Sequence, residues 1–152
     1  MNEISIRQAT LADVTVIHGL LRDLEKTLGA TSKVKRTVAD LRKFGFSESP
    51  CFEALLAWHG AEAVGLVLFF REFSSWLGKP GVYVQDLYVS AGLRGSGLGS
   101  KLMQAVYDHT RNWGARYCKL TVQRNNAAAI AFYRQLGFRA AEGDCVLLLE
   151  LG

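Results

Sequence analysis

The sequence predicts an α+β fold in a single domain over residues 1–152, and three features carry that expectation. Residues 51–58 and 63–72 are strand-like runs joined by the short turn His59-Gly60-Ala61-Glu62. Such a pair forms an antiparallel hairpin, which excludes a simple doubly wound sheet. Residues 82–89 form an apolar-rich run that carries a few polar side chains, as a buried strand does. A turn with Gly92, Gly95, Gly97 and Gly99 follows. Leu98, Leu102, Met103 and Val106 then recur at helical spacing. The third feature is a helix from Asn126 to Gly137, in which Ala129, Ile130, Tyr133 and Leu136 share one side. Asn125 or Asn126 can cap its start and Gly137 stops it.

In chain order, Ile4, Ile6 and Gln8 alternate with Ser5 and Arg7 as an opening strand. Thr10 and Asp13 make a T-x-x-D start to a helix reaching about Leu28. Its buried stripe is Val14, Ile17, Leu20, Leu21, Leu24 and Leu28. Residues 29–36 read as a polar loop, and the basic cluster Lys33-Val34-Lys35-Arg36 within it as solvated, with contact to a ligand phosphate as the alternative. Thr37 starts a second helix over residues 38–44, closed by Gly45. After the hairpin, residues 73–81 read as the longest irregular stretch in the middle of the chain, with Trp76 at its tip. A strand over residues 117–122 follows the glycine-turn helix, and residues 140–151, with the run Val146 to Leu149, are expected to close the sheet.

Composition narrows the function classes. With 49% apolar residues the chain is globular, neither disordered nor low-complexity. Eighteen Lys and Arg against fourteen Asp and Glu give a net charge of +4, spread too thinly to argue for nucleic acid. No apolar run approaches the roughly 18 residues of a membrane span. The chain enters its strand pattern directly from Met1, so no signal peptide is expected and a cytoplasmic protein is. Cys51, Cys118 and Cys145 are odd in number and far apart, which points to reduced thiols. His18, His59 and His109 have no metal-binding spacing, and no metal is expected.

A strand, a glycine-rich turn and a helix N-terminus together hold an anion well. The first-turn N–H groups lack intrahelical partners, and the macrodipole adds partial positive charge. Glycines let those N–H groups approach a phosphate closely. Arg94 adds a fixed charge, so the turn reads as a pyrophosphate cradle. A P-loop would end in Gly-Lys-Ser/Thr, whereas this turn ends Gly99-Ser100-Lys101. A Rossmann unit would place an acidic residue about 20 positions on. Here the next strand runs into Gln123, Arg124 and Asn125. A glycine-rich helix start with no ligand remains the alternative.

R-G-S-G-L-G at residues 94–99 and N-x-x-A-I-x-F-Y-x-x-L-G-F at residues 126–138 together resemble the two signature segments of the GNAT superfamily of N-acetyltransferases. The resemblance implies an α/β/α sandwich with a mixed, mostly antiparallel sheet flanked by helices. It implies acetyl-CoA as co-substrate, an acidic ligand that suits the basic balance. The backbone of Leu87, Tyr88 and Val89 would pair with the pantetheine arm like an added strand, and one N–H there would polarise the thioester carbonyl. Arg94 and the N–H groups of Gly95, Ser96, Gly97, Leu98, Gly99 and Ser100 would take the pyrophosphate. Asn126, with Ala129 one turn on, would meet the pantetheine near the sulfur. Tyr133 would give a proton to the departing thiolate.

Within the superfamily the chain is similar to the spermidine/spermine (diamine) and thialysine acetyltransferases. The matching features are I-R-x-A-T at 6–10, G-F-S-E-S-P at 45–50, F-F…S-W-L-G-K at 69–79 and Y-V-Q-D-L-Y-V at 83–89. That group usually has Glu-Asp where this chain has Gln85-Asp86, and strand alternation puts these two on opposite faces. The base is therefore Asp86, a water held by Gln85, or a carboxylate such as Glu72 or Glu142. Thr27 and Leu28 stand where the polyamine enzymes have Tyr and Glu, and Ser74 replaces an acidic residue before Trp76. With Trp76, Gln85, Asp86 and Glu142 as the acceptor-side residues, a small amine, an amino acid or a thialysine-like acceptor fits better than spermidine. The resemblance also implies a homodimer. An acetyl-CoA-binding sensor without transfer activity, or a transferase acting on peptide or protein amines, stays open at this point.

Overall fold

The computed structural model describes residues 3–152. Met1 and Asn2, on which the expectation of no signal peptide rests, lie outside them. The chain forms two compact units, the first ending at Leu120 and the second running from Thr121 to Gly152.

The first unit is a five-stranded sheet in the order β1-β2-β3-β4-β5, flanked by helices. Strand β1 (Ile4–Gln8) precedes α1 (Val14–Leu28) and α2 (Val38–Gly45). Then come β2 (Glu53–His59), β3 (Glu62–Ser74), β4 (Lys79–Val89), α3 (Leu98–Thr110) and β5 (Cys118–Leu120). The first four strands pair antiparallel and β5 joins β4 in parallel over three residues, the mixed and mostly antiparallel sheet expected. Leu66 and Leu68 of β3 and Leu56 of β2 pack with Val14, Ile17, Leu20 and Leu21 of α1 and Leu41 of α2. On the opposite face, a Cβ at Gly65 would stand 3.1 Å from the Leu102 side chain of α3. Leu98, Leu102, Met103 and Val106 are all buried there.

The helix starts follow the sequence. Asp13 Oδ2 accepts from the Thr10 N–H at 2.8 Å, Thr37 Oγ1 accepts from the Asp40 N–H at 3.1 Å, and Asp40 Oδ2 accepts from the Thr37 N–H at 2.9 Å. Gly29 ends α1 at a φ of 66°, a left-handed value that glycine adopts freely.

Two expectations are corrected. Residues 73–81 are not irregular: Phe73 pairs with Pro80 and Ser74 with Lys79, so β3 and β4 make a long hairpin with a turn at 75–78. Ser74 turns the chain by accepting from Leu77 N–H on its Oγ and from Gly78 N–H on its carbonyl. Serines and a glycine disguise a ladder that backbone pairing carries through. In the second unit, α4 (Ala127–Gln135) forms as read, but no strand follows it. Val146, Leu147, Leu148 and Leu149 are 80–89% exposed. An apolar run of four has no period of its own, and strand propensity without a ladder to join does not fix a strand.

Candidate active site

The turn after β4 has the backbone a phosphate cradle needs. Gly95 and Gly97 hold φ values of 80° and 89°. A Cβ at Gly92, Gly95 or Gly97 would meet nothing within 4 Å, so these glycines line open space, and conformation rather than crowding requires glycine at 95 and 97. Gly97 is the N-cap of α3 and offers no side chain, so the amides of Leu98, Gly99 and Ser100 have no cap. The first helical bond runs from Lys101 N–H to Gly97 O at 3.1 Å. Ser96 differs from the expectation: its N–H already donates to Leu93 O at 3.2 Å. Arg94 is tethered beside the turn. Its Nε donates to Val89 O at 3.1 Å, its Nη2 to Thr27 Oγ1 at 3.4 Å, and it lies over the Tyr88 ring.

Strand β4 supplies a free edge and a carboxylate. Strand β5 pairs with it only from Val82 to Val84, so on that side Leu87, Tyr88 and Val89 have no strand neighbour among the described residues. An extended ligand can add there as a further strand. Between these segments the ladder carries a bulge. Phe69 faces Val84 and Leu68 faces Asp86, which leaves Gln85 as the extra residue. Alternation does not run through a bulge: Val84 and Asp86, two residues apart, face Phe69 and Leu68 on opposite sides of the sheet. Asp86 lies opposite Leu68, on the face covered by α1, while Gln85 is exposed.

A set of charges that the sequence reading passed over surrounds Asp86. Glu25, a buried residue of α1, accepts from Arg36 Nη1 through its Oε2 at 2.7 Å. Burial pushes the Asp86 carboxyl up to about 6; Arg36 draws it down and Glu25 adds to the rise. His18, two turns before Glu25 on α1, is shifted downward by burial and by Arg36 and Arg22, against Glu25. Four buried polar atoms here have no hydrogen-bond partner among the described residues: Glu25 Oε1, Arg36 Nε, Arg36 Nη2 and His18 Nδ1. Arg36 is therefore no solvated loop residue, and Glu25 is a carboxylate near Asp86 that the sequence reading did not single out. The signal was present in α1. Glu25 follows Leu21 by four residues, so a carboxylate falls on the apolar stripe, where it needs a cation.

Other candidates stand apart from this cluster. Trp76 is 98% exposed at the hairpin tip, roughly 20 Å along β4 from Asp86 at the usual strand rise. Glu72 is engaged by Tyr117 Oη at 2.9 Å and Lys119 Nζ at 3.1 Å. Burial, with Glu72 nearby, pushes the Cys118 thiol up to about 12, which leaves it protonated at neutral pH. In the second unit, Asn126 caps α4, its Oδ1 accepting from Ala129 N–H at 3.1 Å. The Ala129 N–H is therefore committed within the helix start. The Tyr133 ring packs edge-on against Phe132 and Phe138 at 5.0 and 5.5 Å. Glu142 is exposed in the irregular segment after α4. No group of three metal-ligating side chains occurs among the described residues, and no helix among them is long and apolar enough to cross a membrane.

Known proteins resemble the chain over most of its length. A model of the acetyltransferase (GNAT) family matches residues 19–138. The thialysine N-epsilon-acetyltransferase of Mus musculus is 32% identical over 140 residues, covering 87% of this chain and 82% of the relative. The L-methionine sulfoximine/L-methionine sulfone acetyltransferase of Pseudomonas aeruginosa is 30% identical over 142 residues, covering 88% and 79%. The crystal structure of an aminoglycoside acetyltransferase from an uncultured soil metagenomic sample in complex with sisomicin shares the fold, at a TM-score of 0.81, 19% identity and coverage of 98% and 97%. A glycine turn at a helix start, an open strand edge and a match over most of the chain agree, and the chain belongs to the acetyltransferase (GNAT) family.

Proposed function

We propose that this acyltransferase moves the acetyl group of acetyl-CoA to a primary amine of a small molecule, by direct attack within a ternary complex. The observation that carries the reading is Asp86. It is a carboxylate on the α1 face of β4, pushed up to about 6 by burial, in the same strand as the open edge and a few residues before the glycine turn. At neutral pH such a group is mostly ionised yet basic enough to take a proton, which suits a general base.

The glycine-turn amides of Leu98, Gly99 and Ser100 would hold the diphosphate, and the edge at Leu87, Tyr88 and Val89 the pantetheine arm. An alkylamine arrives protonated, and Asp86 takes its proton directly or through a water near Gln85. The amine nitrogen then bonds to the thioester carbonyl carbon. As the C–S bond breaks, the leaving thiolate takes a proton from Tyr133, the role the family resemblance gives that residue. The nitrogen, positively charged once it has bonded, gives its second proton to water and leaves a neutral amide, and solvent exchange then returns a proton to Tyr133 and removes one from Asp86. The relatives named for thialysine and methionine sulfoximine act on small amines, which supports an acceptor of that class.

The test is thiol release from acetyl-CoA by the purified chain with lysine analogues, amino acids, aminoglycosides and polyamines. Acceptor-dependent release is expected with a small amine. Tight acetyl-CoA binding without release across the whole panel would overturn the transfer reading, and spermidine as the best acceptor would overturn the expected class.

A further inference from the structure

The Glu25–Arg36 pair is left incomplete in a particular way. Arg36 spends Nη1 on Glu25, while Nε and Nη2 are buried with no acceptor among the described residues. Those two N–H groups form one edge of the planar guanidinium, the fork that receives both oxygens of a carboxylate. Glu25 mirrors this, with Oε2 used and Oε1 buried without a donor. Buried polar groups are almost always satisfied, so a two-N–H edge beside an unused carboxylate oxygen describes the complement of a missing partner. That partner must accept from Arg36 and donate to Glu25.

From this geometry we propose that Arg36 reads a carboxylate on the acceptor, so that the molecule acetylated is an amino acid rather than a diamine or polyamine. The inference rests on the acetyl-transfer reading of Asp86 and names the acceptor of that same site. The acceptor's carboxylate takes the Arg36 Nε and Nη2 edge, and its ammonium group donates to Glu25 Oε1 and towards Asp86. A diamine satisfies only the acidic half, leaving the Arg36 edge unmatched and bringing a second cation against it. The segment carrying Arg36 can admit such a ligand. Among the described residues the backbone N–H groups of Lys35 and Arg36 make no hydrogen bond, while Val34 and Thr37 on either side are tied. The guanidinium edge can therefore open without breaking a backbone bond.

The experiment compares twins that differ only in the carboxylate. L-lysine is paired with cadaverine, thialysine with its decarboxylated form, and L-methionine sulfone with 3-(methylsulfonyl)propylamine. Each is assayed for thiol release with the full chain and with Arg36→Lys and Arg36→Gln. Arg36→Lys keeps a cation for Glu25 but removes the fork, so it tests recognition without stranding a buried carboxylate. The expected result is a kcat/KM preference of roughly 10- to 10²-fold for a carboxylated twin, the scale of a charge-assisted bidentate contact, falling towards one in both variants. Equal use of both twins, or a preference that survives Arg36→Gln, overturns the proposal and leaves the transferase standing. Calorimetry of the same amino acids with the CoA-loaded protein separates the two readings. Arg36-dependent binding without thiol release keeps the carboxylate site and overturns transfer. Neither binding nor release overturns both.

Discussion

Replacing Asp86 with Asn should make the protein more stable and far less active. The folded chain holds the Asp86 proton more tightly than the unfolded chain does, because burial raises the carboxyl from 3.8 to about 6. The stability tied to that proton is complete below about 3.8 and is lost as the pH rises through 6. Above 6 the folded state carries an ionised carboxylate that it would rather not have, at a cost of roughly 3 kcal/mol when ionisation is complete. Arg36 limits that cost and Glu25 increases it. Asn has nearly the same shape and no charge to bury. Urea unfolding of wild type and Asp86→Asn at pH 8 should therefore favour the variant by an amount approaching that figure, and the difference should vanish near pH 4. Turnover at pH 8 should fall by roughly 10²- to 10⁴-fold, the reach of one acid–base group. Equal stability at pH 8, or a less stable variant, would refute the account of a strained buried carboxylate. Full turnover in the variant would remove Asp86 as the base.

Two further outcomes are expected. Tyr133→Phe should keep acetyl-CoA affinity by calorimetry while turnover drops by roughly 10- to 10⁴-fold, and an unchanged turnover would take Tyr133 out of the mechanism. Gly97→Ala forces a left-handed φ of 89° on a residue with a Cβ, so it should cost about 1–2 kcal/mol of stability and weaken acetyl-CoA by roughly tenfold or more. Unaltered acetyl-CoA binding in that variant would move the diphosphate away from this turn.

Much of this molecule is legible in its sequence, because local chemistry fixes it. Thr10 with Asp13, Thr37 with Asp40, and Asn126 with Ala129 are contacts three residues apart. Gly95 and Gly97 announce a backbone that other residues adopt poorly. What the sequence hides depends on pairing at a distance. The bulge at Gln85 has no glycine or proline to mark it, and it exists because β3 and β4 lose register there. Arg36 lies in a basic run that reads as solvated, and only the fold brings it to Glu25, 11 residues earlier. The resemblance named Asp86, Glu72 and Glu142, while Glu25, which the sequence reading did not single out, lies on the buried stripe of α1 and pairs with Arg36. The Val146–Leu149 run shows the converse error. Apolar, β-favouring residues suggest a strand, but a strand needs a partner, and none forms there among the described residues.

The pH dependence of kcat/KM for thiol release, with the best small-amine acceptor, tests the assignment of Asp86 most directly. The carboxyl must be ionised to accept a proton, so activity should rise with pH along a limb with an apparent pKa near 6, and that limb should be missing from the residual rate of Asp86→Asn. A wild-type profile flat down to pH 5, or the same limb in the variant, would place the base elsewhere.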